Sequence, residues 1–513
     1  MSIAHRLTAL AVAMSVLTPV AAYAMDDFIV ASSSAPTAIK LCGDADDNPI
    51  KPAACKQAGY DKLAAGIDKA FDAALAKTPA TIRPLLKRDQ AWFNEIILSA
   101  AESVPQSDDA DERAGFTETL RQRATTLEAI GNGFGRPGYA GGWVSAFGGL
   151  VVTPAEGGAY RVAIATRAVY GSGNDHIRQC KVNAMVKPAA GGWLSGMILP
   201  DETKPAPASA DSKAPPAETN AAPAKSPSLK IRRQGETLRV VVSGQDWSES
   251  DRPDCEYMWQ LTASYFASGK PDSVTDKADT TFVVPTFDCT RPETASDEEI
   301  CADPDLADND QRLNRAWKAL LPRLDEATRR ALTEDQRGWV HAQAYQYPEF
   351  LHPAWEKLTS FMHFTADARD RLDQLQRERI ALIEGFDEKR NGIAGVWLAY
   401  NAIIKVTVDN DGSVSAQGWK WDQGDWKAGC DYDIQGQLVG GVFHSDEKRK
   451  NPDTLERDRA TLIVNRQDDM FAKKRGPSDD EGKCKRTPSA SSTARLFPAR
   501  PSPDIKDFGS SIR

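Results

Sequence analysis

Eight cysteines, Cys42, Cys55, Cys180, Cys255, Cys289, Cys301, Cys430 and Cys484, divide this chain, and their spacings repeat. Cys42 to Cys55 is 13 residues and Cys289 to Cys301 is 12. Cys180 to Cys255 is 75 and Cys430 to Cys484 is 54. The 75-residue interval contains a stretch, 204–228, in which 14 of 25 residues are Pro or Ala, and without it the two long intervals nearly match. An even cysteine count in an exported chain reads as a disulfide framework. The scheme that respects the repeat pairs sequence neighbours: Cys42–Cys55, Cys180–Cys255, Cys289–Cys301 and Cys430–Cys484.

The residues between the cysteines repeat as well, and a repeat must be sought before a fold is assigned. Ile67, Phe71 and Leu75 follow Cys55 at the offsets at which Leu313, Trp317 and Leu321 follow Cys301. Asp89-Gln90 with Trp92 is answered by Asp335-Gln336 with Trp339, and Arg123 by Arg379. Trp143 and Trp397 then each open a stretch rich in glycine and aromatics. One ancestral unit is therefore expected twice.

The first part of each unit has helical spacing. Tyr60, Leu63, Ile67, Phe71 and Leu75 fall on one stripe, and Pro79 and Pro322 stop the first long helices. Ser296-Asp297-Glu298-Glu299 has capping-box form, and Asp303-Pro304 sets an N-cap ahead of a first-turn proline. The second part alternates as strands do. Residues 406–408 and 413–414 flank Asn410-Asp411-Gly412, a turn suited to positive φ, and 238–242 and 460–464 are strand-like runs. The expected architecture is α+β, a tandem duplication in which each unit is a disulfide-stapled three-helix domain followed by a small antiparallel β module, barrel or sandwich. Expected boundaries are 1–24, signal peptide; 36–131, helical domain; 139–266, β module with the Pro/Ala-rich insert 204–228; 282–386, helical domain; 392–498, β module; and 499–513, disordered tail.

The start of the chain has one cation, a short apolar run over 7–17 and a small-residue end at Ala22-Tyr23-Ala24, the pattern of a secretory signal. Its removal takes Arg6 from a chain at −9 and leaves −10. A soluble protein of the periplasm or medium is expected, exported in the Gram-negative manner, with no membrane association after signal removal. The acidic balance argues against a nucleic-acid partner, which needs a basic face, and favours basic partners through steering.

In the second unit the strings Phe287-Asp288-Cys289, Glu299-Ile300-Cys301 and Asp303-Pro304-Asp305-Leu306 stand at fixed distances from Leu313-Asn314-Arg315-Ala316-Trp317 and from Gln336 with Trp339. This pattern resembles the N-terminal helical domain of the LprI-type lysozyme inhibitor family over 287–386, with a degenerate copy over about 40–130. The resemblance implies a helical, disulfide-stapled envelope protein, in some members an inhibitor of lysozyme.

Catalytic signals are absent from the sequence reading. All cysteines are assigned to bridges, there is no G-x-S-x-G elbow, and His341, His352 and His363 lack zinc spacing. Asp44-Ala45-Asp46-Asp47-Asn48 and Asp409-Asn410-Asp411-Gly412 lack the closing glutamate of a calcium loop and read as turns. No enzyme, cofactor or metal is expected. Two aromatic groups are the candidate binding residues: Tyr345, Tyr347, Phe350 and Trp355, and Trp419, Trp421 and Trp426. Both groups have core packing as their competing explanation. The expected function is binding and inhibition of a lysozyme or related muramidase, a basic envelope-active partner. The alternative is a non-catalytic module that holds peptidoglycan or another glycan on the tryptophans.

Overall fold

A computed structural model describes residues 30–43, 49–103, 105, 107–169, 177–199, 227–243, 261–269, 276–344, 360–422, 425–446, 452–465, 484–485 and 493–505. The expected signal segment 1–24, Cys255 and nearly all of the 204–228 stretch lie outside the described residues, as does most of 499–513.

The chain contains helices and antiparallel sheets. Its first helices are α1 (Pro52–Ala58), α2 (Tyr60–Lys77), α3 (Arg83–Ala101) and α4 (Ala110–Gly133). Gly59 adopts φ +76°, which only glycine tolerates readily, and so parts α1 from α2. The α2 stripe Tyr60, Ala64, Ile67, Phe71 and Ala74 is buried against α4, and the Asp109 carboxylate caps α4 through the N–H groups of Asp111 and Glu112. Helices α5 (Ala295–Ala302), α6 (Pro304–Leu320), α7 (Glu326–Ala344) and α8 (Ser360–Glu384) repeat this order. Among the described residues each set has four α-helices where the sequence predicts three. The extra one is the short α1 or α5, which carries Cys55 or Cys301 and is cut off by Gly59 or by the Asp303-Pro304 cap. Cys42 is bonded to Cys55 and Cys289 to Cys301, with Cα atoms 6.0 and 5.8 Å apart.

Between the helical sets lies a closed antiparallel barrel of β1 (Gly141–Ser145), β2 (Gly148–Pro154), β3 (Tyr160–Val169), β4 (Ile177–Pro188), β5 (Leu194–Met197), β6 (Ser228–Gln234), β7 (Thr237–Ser243) and β8 (Ala263–Ala267). Each strand pairs with the next, and β8 returns to β1 with Ala267 opposite Trp143. Alternate residues point inward, so Trp143, Leu150, Val152, Val162, Ile164, Val182 and Tyr265 fill the interior together with Trp92 and Ile96 of α3. On the outside of β8 and β1, Phe266 and Val144 pack on the first helical set.

The second sheet is formed by β9 (Gly395–Ala399), β10 (Ala402–Val408), β11 (Ser413–Asp422), β12 (Asp425–Val439), β13 (Val442–Ser445), β14 (Thr454–Asp458), β15 (Thr461–Asn465), β16 (Cys484–Lys485) and β17 (Ala494–Ala499). Its order is β13-β12-β11-β10-β9-β17-β15-β14, with β16 beside β12. The path is the same meander as in the barrel, with β17 returning to β9, except that β13 and β14 are left as its two ends.

Candidate functional site

Among the described residues a dense polar cluster lies where the start of the second helical set meets the first barrel. Thr294 and Asp297 form a capping box for α5, which sets Glu298 and Glu299 on its first turns. The cap sits two residues before the Ser296 expected from sequence, because the Ser296 hydroxyl donates to the Gln343 carbonyl instead. Asp303 caps α6 with one oxygen: Oδ1 accepts from the N–H groups of Asp305 (3.0 Å) and Leu306 (3.3 Å). Its other oxygen, Oδ2, accepts from Arg239 Nε of β7 at 3.2 Å and from Arg369 Nε of α8 at 3.0 Å. Glu299 receives Arg239 on one oxygen and Arg88 of α3 on the other, the latter at 2.9 Å. Glu298 accepts the backbone N–H of Ser32 at 3.0 Å and that of Ser33 at 2.7 Å.

Arg88, Arg239, Arg369, Glu298, Glu299 and Asp303 are each at most 4% exposed, so three buried cations face three buried anions. Charges so placed must be paired, since desolvating an isolated ion is very costly. A half-exposed rim continues the contact. Trp193 Nε1 donates to Asp305 at 2.8 Å, and Lys230 reaches Asp305 at 3.1 Å while lying 4.2 Å from the Trp193 ring centroid. Arg232 stands between Asp305 and Asp308. Burial alone would raise the Asp303 carboxyl, but the guanidiniums of Arg369 and Arg239 outweigh it and hold it well below the usual carboxylate range. At Glu298 burial wins over Arg88 and the serine N–H groups, and the carboxyl is raised. The arrangement is a buried intrachain ion-pair network in which carboxylates on helix starts receive guanidiniums.

A second set of contacts ties each helical set to the sheet that follows it. Asp89 accepts the Ala146 N–H at 2.7 Å and pairs with Arg123 at 2.9 Å. Asp335 accepts the Tyr400 N–H at 2.9 Å and pairs with Arg379 at 2.5 Å. Gln90 and Gln336 each accept from the same arginine as their neighbouring aspartate. In the sheets, Trp143 Nε1 donates to the Tyr139 carbonyl and Trp397 Nε1 to the Ile393 carbonyl, at 2.8 and 2.7 Å. Arg136 and Arg233 flank the first indole, Arg390 and Arg457 the second. Arg136 bridges the carbonyls of Gly142 and Ser268 just as Arg390 bridges those of Val396 and Ala499.

Of the binding residues expected from sequence, Tyr345, Tyr347, Phe350 and Trp355 lie outside the described residues. Trp419, Trp421 and Trp426 stand on β11 and β12, with Trp419 opposite Ile403 and Asp431 and Trp421 opposite Gly429; their side chains lie outside the description. Cys180 is disulfide-bonded, and Cys430 and Cys484 are register partners across β12 and β16. Among the described residues no group of three His, Cys, Asp or Glu side chains is placed to hold a metal ion, and no helix is long and apolar enough to cross a membrane. Sequence reasoning missed the ionic cluster. The signal for it was Arg239 in the apolar run Leu238-Arg239-Val240-Val241-Val242, where a charge on an outward strand position asks for a partner.

Fold and contacts define a disulfide-stapled α+β chain whose helical sets and sheets are joined by buried ion pairs. Residues 289–380, from the α5 staple through most of α8, match the family model described as lysozyme inhibitor LprI. Neither the curated proteins nor the solved structures give a match.

Proposed function

We propose that this chain is an exported, non-catalytic binding protein that uses its LprI-like segment to bind and inhibit a lysozyme or a related muramidase. The observation that carries the reading is the family match over 289–380, which coincides with the helical set stapled by Cys289–Cys301. An inhibitor needs a rigid surface rather than a nucleophile, and a stapled helical scaffold supplies one. With 1–24 removed the chain acts in the periplasm or outside the cell, and its acidity steers it toward a basic enzyme.

The chain is further proposed to be a tandem duplication, with units at 36–131 plus 139–266 and at 282–386 plus 392–498. Supporting this are the paired Asp–Arg–Gln contacts, the paired tryptophan settings and the shared strand path described above. A second reading, glycan binding, is favoured by Trp419 and Trp421 standing two residues apart on one strand, hence on one face.

The test is titration of several lysozyme classes with the oxidised mature chain at low and high salt. Stoichiometric inhibition that weakens with salt is expected. Inhibition of no class, with salt-resistant retention on insoluble peptidoglycan, would move the glycan reading to first place.

A further inference from the structure

We propose that the acid-bearing end of the LprI-like segment is a docking surface for a guanidinium-rich protein face, and that the first barrel fills it in cis. This rests on the reading that the segment takes a basic protein, and adds which surface does so and what controls it.

The acids are not needed to build a stapled helical set. Counted from the staple cysteines Cys301 and Cys55, the places of Glu298, Glu299, Asp303 and Asp305 are held in the first set by Pro52, Ala53, Gln57 and Gly59. That set nevertheless forms its short helix, its bridge and its long helix. Capping of α6 requires one oxygen of Asp303, and the second is given to two arginines. The remaining carboxylates reach out of their own helical set, Glu299 to Arg88 and Arg239 and Asp305 to Lys230 and Trp193, although Asp305 also keeps Arg369 of α8 at 3.3 Å. These groups are arranged for guanidinium and ammonium ligands, and the structure holds such ligands there, supplied by Arg88, Lys230 and Arg239 of the first half of the chain and, for Asp303 and Asp305, by Arg369 of α8 as well.

The fit is incomplete. Arg88 Nη2 and Arg239 Nη1 are buried without a hydrogen-bond partner in the protein. Buried ion pairs give orientation more readily than net stability, because desolvation offsets their attraction. A contact of this kind is open to exchange with a competitor of the same chemistry. An external basic protein would therefore take the acid end when the first barrel lets go of it.

The experiment combines amide hydrogen exchange over 295–308 with titration of a hexa-arginine peptide, both on the oxidised full-length chain. Lys230→Glu with Arg232→Glu repels Asp305 and Asp308 at the rim and leaves the six buried charges intact. Arg239→Gln, a second variant, removes one buried grip. Both are expected to speed exchange over 295–308 and to tighten peptide binding roughly tenfold, a gain that Glu299→Gln added to either reverses. Faster exchange with no tighter binding overturns the proposal. So does unchanged exchange in both variants, since an end that never opens takes no partner. Lysozyme inhibition measured in parallel separates the two claims. Equal inhibition by parent and variants refutes occupation in cis and keeps the inhibitor reading. A peptide gain with inhibition by no form refutes the inhibitor reading and keeps the docking surface.

Discussion

Asp335 accepts the backbone N–H of Tyr400 across 65 residues of sequence, at 2.9 Å, and so fixes the turn between β9 and β10 to helix α7. Its other oxygen holds Arg379 of α8 at 2.5 Å. One carboxylate therefore joins two helices and a sheet, and both charged partners are buried. Asp335→Ala leaves Arg379 uncompensated and the Tyr400 N–H without its acceptor. The expected loss is about 3–5 kcal/mol in urea unfolding. Asp335→Leu combined with Arg379→Met should cost less than the two single changes summed, and an additive result would show that the pair is not coupled.

The Cys289–Cys301 bridge closes a loop of 12 residues in front of α6. In the chain-entropy model a loop of that size is worth about 3 kcal/mol. Cys289→Ser with Cys301→Ser should lower the thermal midpoint of the oxidised protein and loosen α5, whose Glu298 and Glu299 depend on its placement. Identical melting of variant and parent would remove the staple from any stabilising role.

Acid should act on the two ends of the cluster in opposite senses. The Asp303 carboxyl lies below its unfolded value of about 3.9, since Arg369 and Arg239 outweigh the effect of burial. Its contribution is therefore fully present above about pH 4 and is lost as pH falls through the lower folded value. Glu298 is raised, chiefly by burial, so its contribution is present in acid and is lost as pH rises through its folded value. Stability measured by denaturant at a series of pH values should fall less steeply below about pH 4 in Asp303→Asn than in the parent. Carboxyl chemical shifts would show Asp303 titrating below Glu298, and the reverse order would contradict the charge assignment.

Local chemistry was the legible part of this molecule. Asn410-Asp411-Gly412 makes the turn between β10 and β11, with Gly412 at φ +85°, because no other residue is as free to enter that region. Asp303-Pro304 caps and opens α6 because a short carboxylate and a fixed φ are local properties. Glu299 and Arg88 carry no such local mark, and Arg239 shows only as a charge inside an apolar run. Each reads as a surface charge until tertiary placement brings positions 88, 239 and 299 together. The break at Gly59 was hidden for a different reason, since a lone glycine marks no boundary until its φ is known, whereas the break at Asp303 lay in the same Asp303-Pro304 cap.

The hairpin of β6 and β7 has a counterpart in that of β14 and β15. In both, the last pair before the turn ends in threonine, Gln234 with Thr237 and Asp458 with Thr461. Counting from those pairs, the positions of Lys230, Arg232 and Arg239 are taken by Thr454, Glu456 and Ile463. The second hairpin thus offers an acid helix start no cation at those three places. The contact between a hairpin and an acid-bearing helix start is therefore directional along the chain: the hairpin of β6 and β7 carries the cations that meet α5 and α6, and the hairpin of β14 and β15 has none at the matching places.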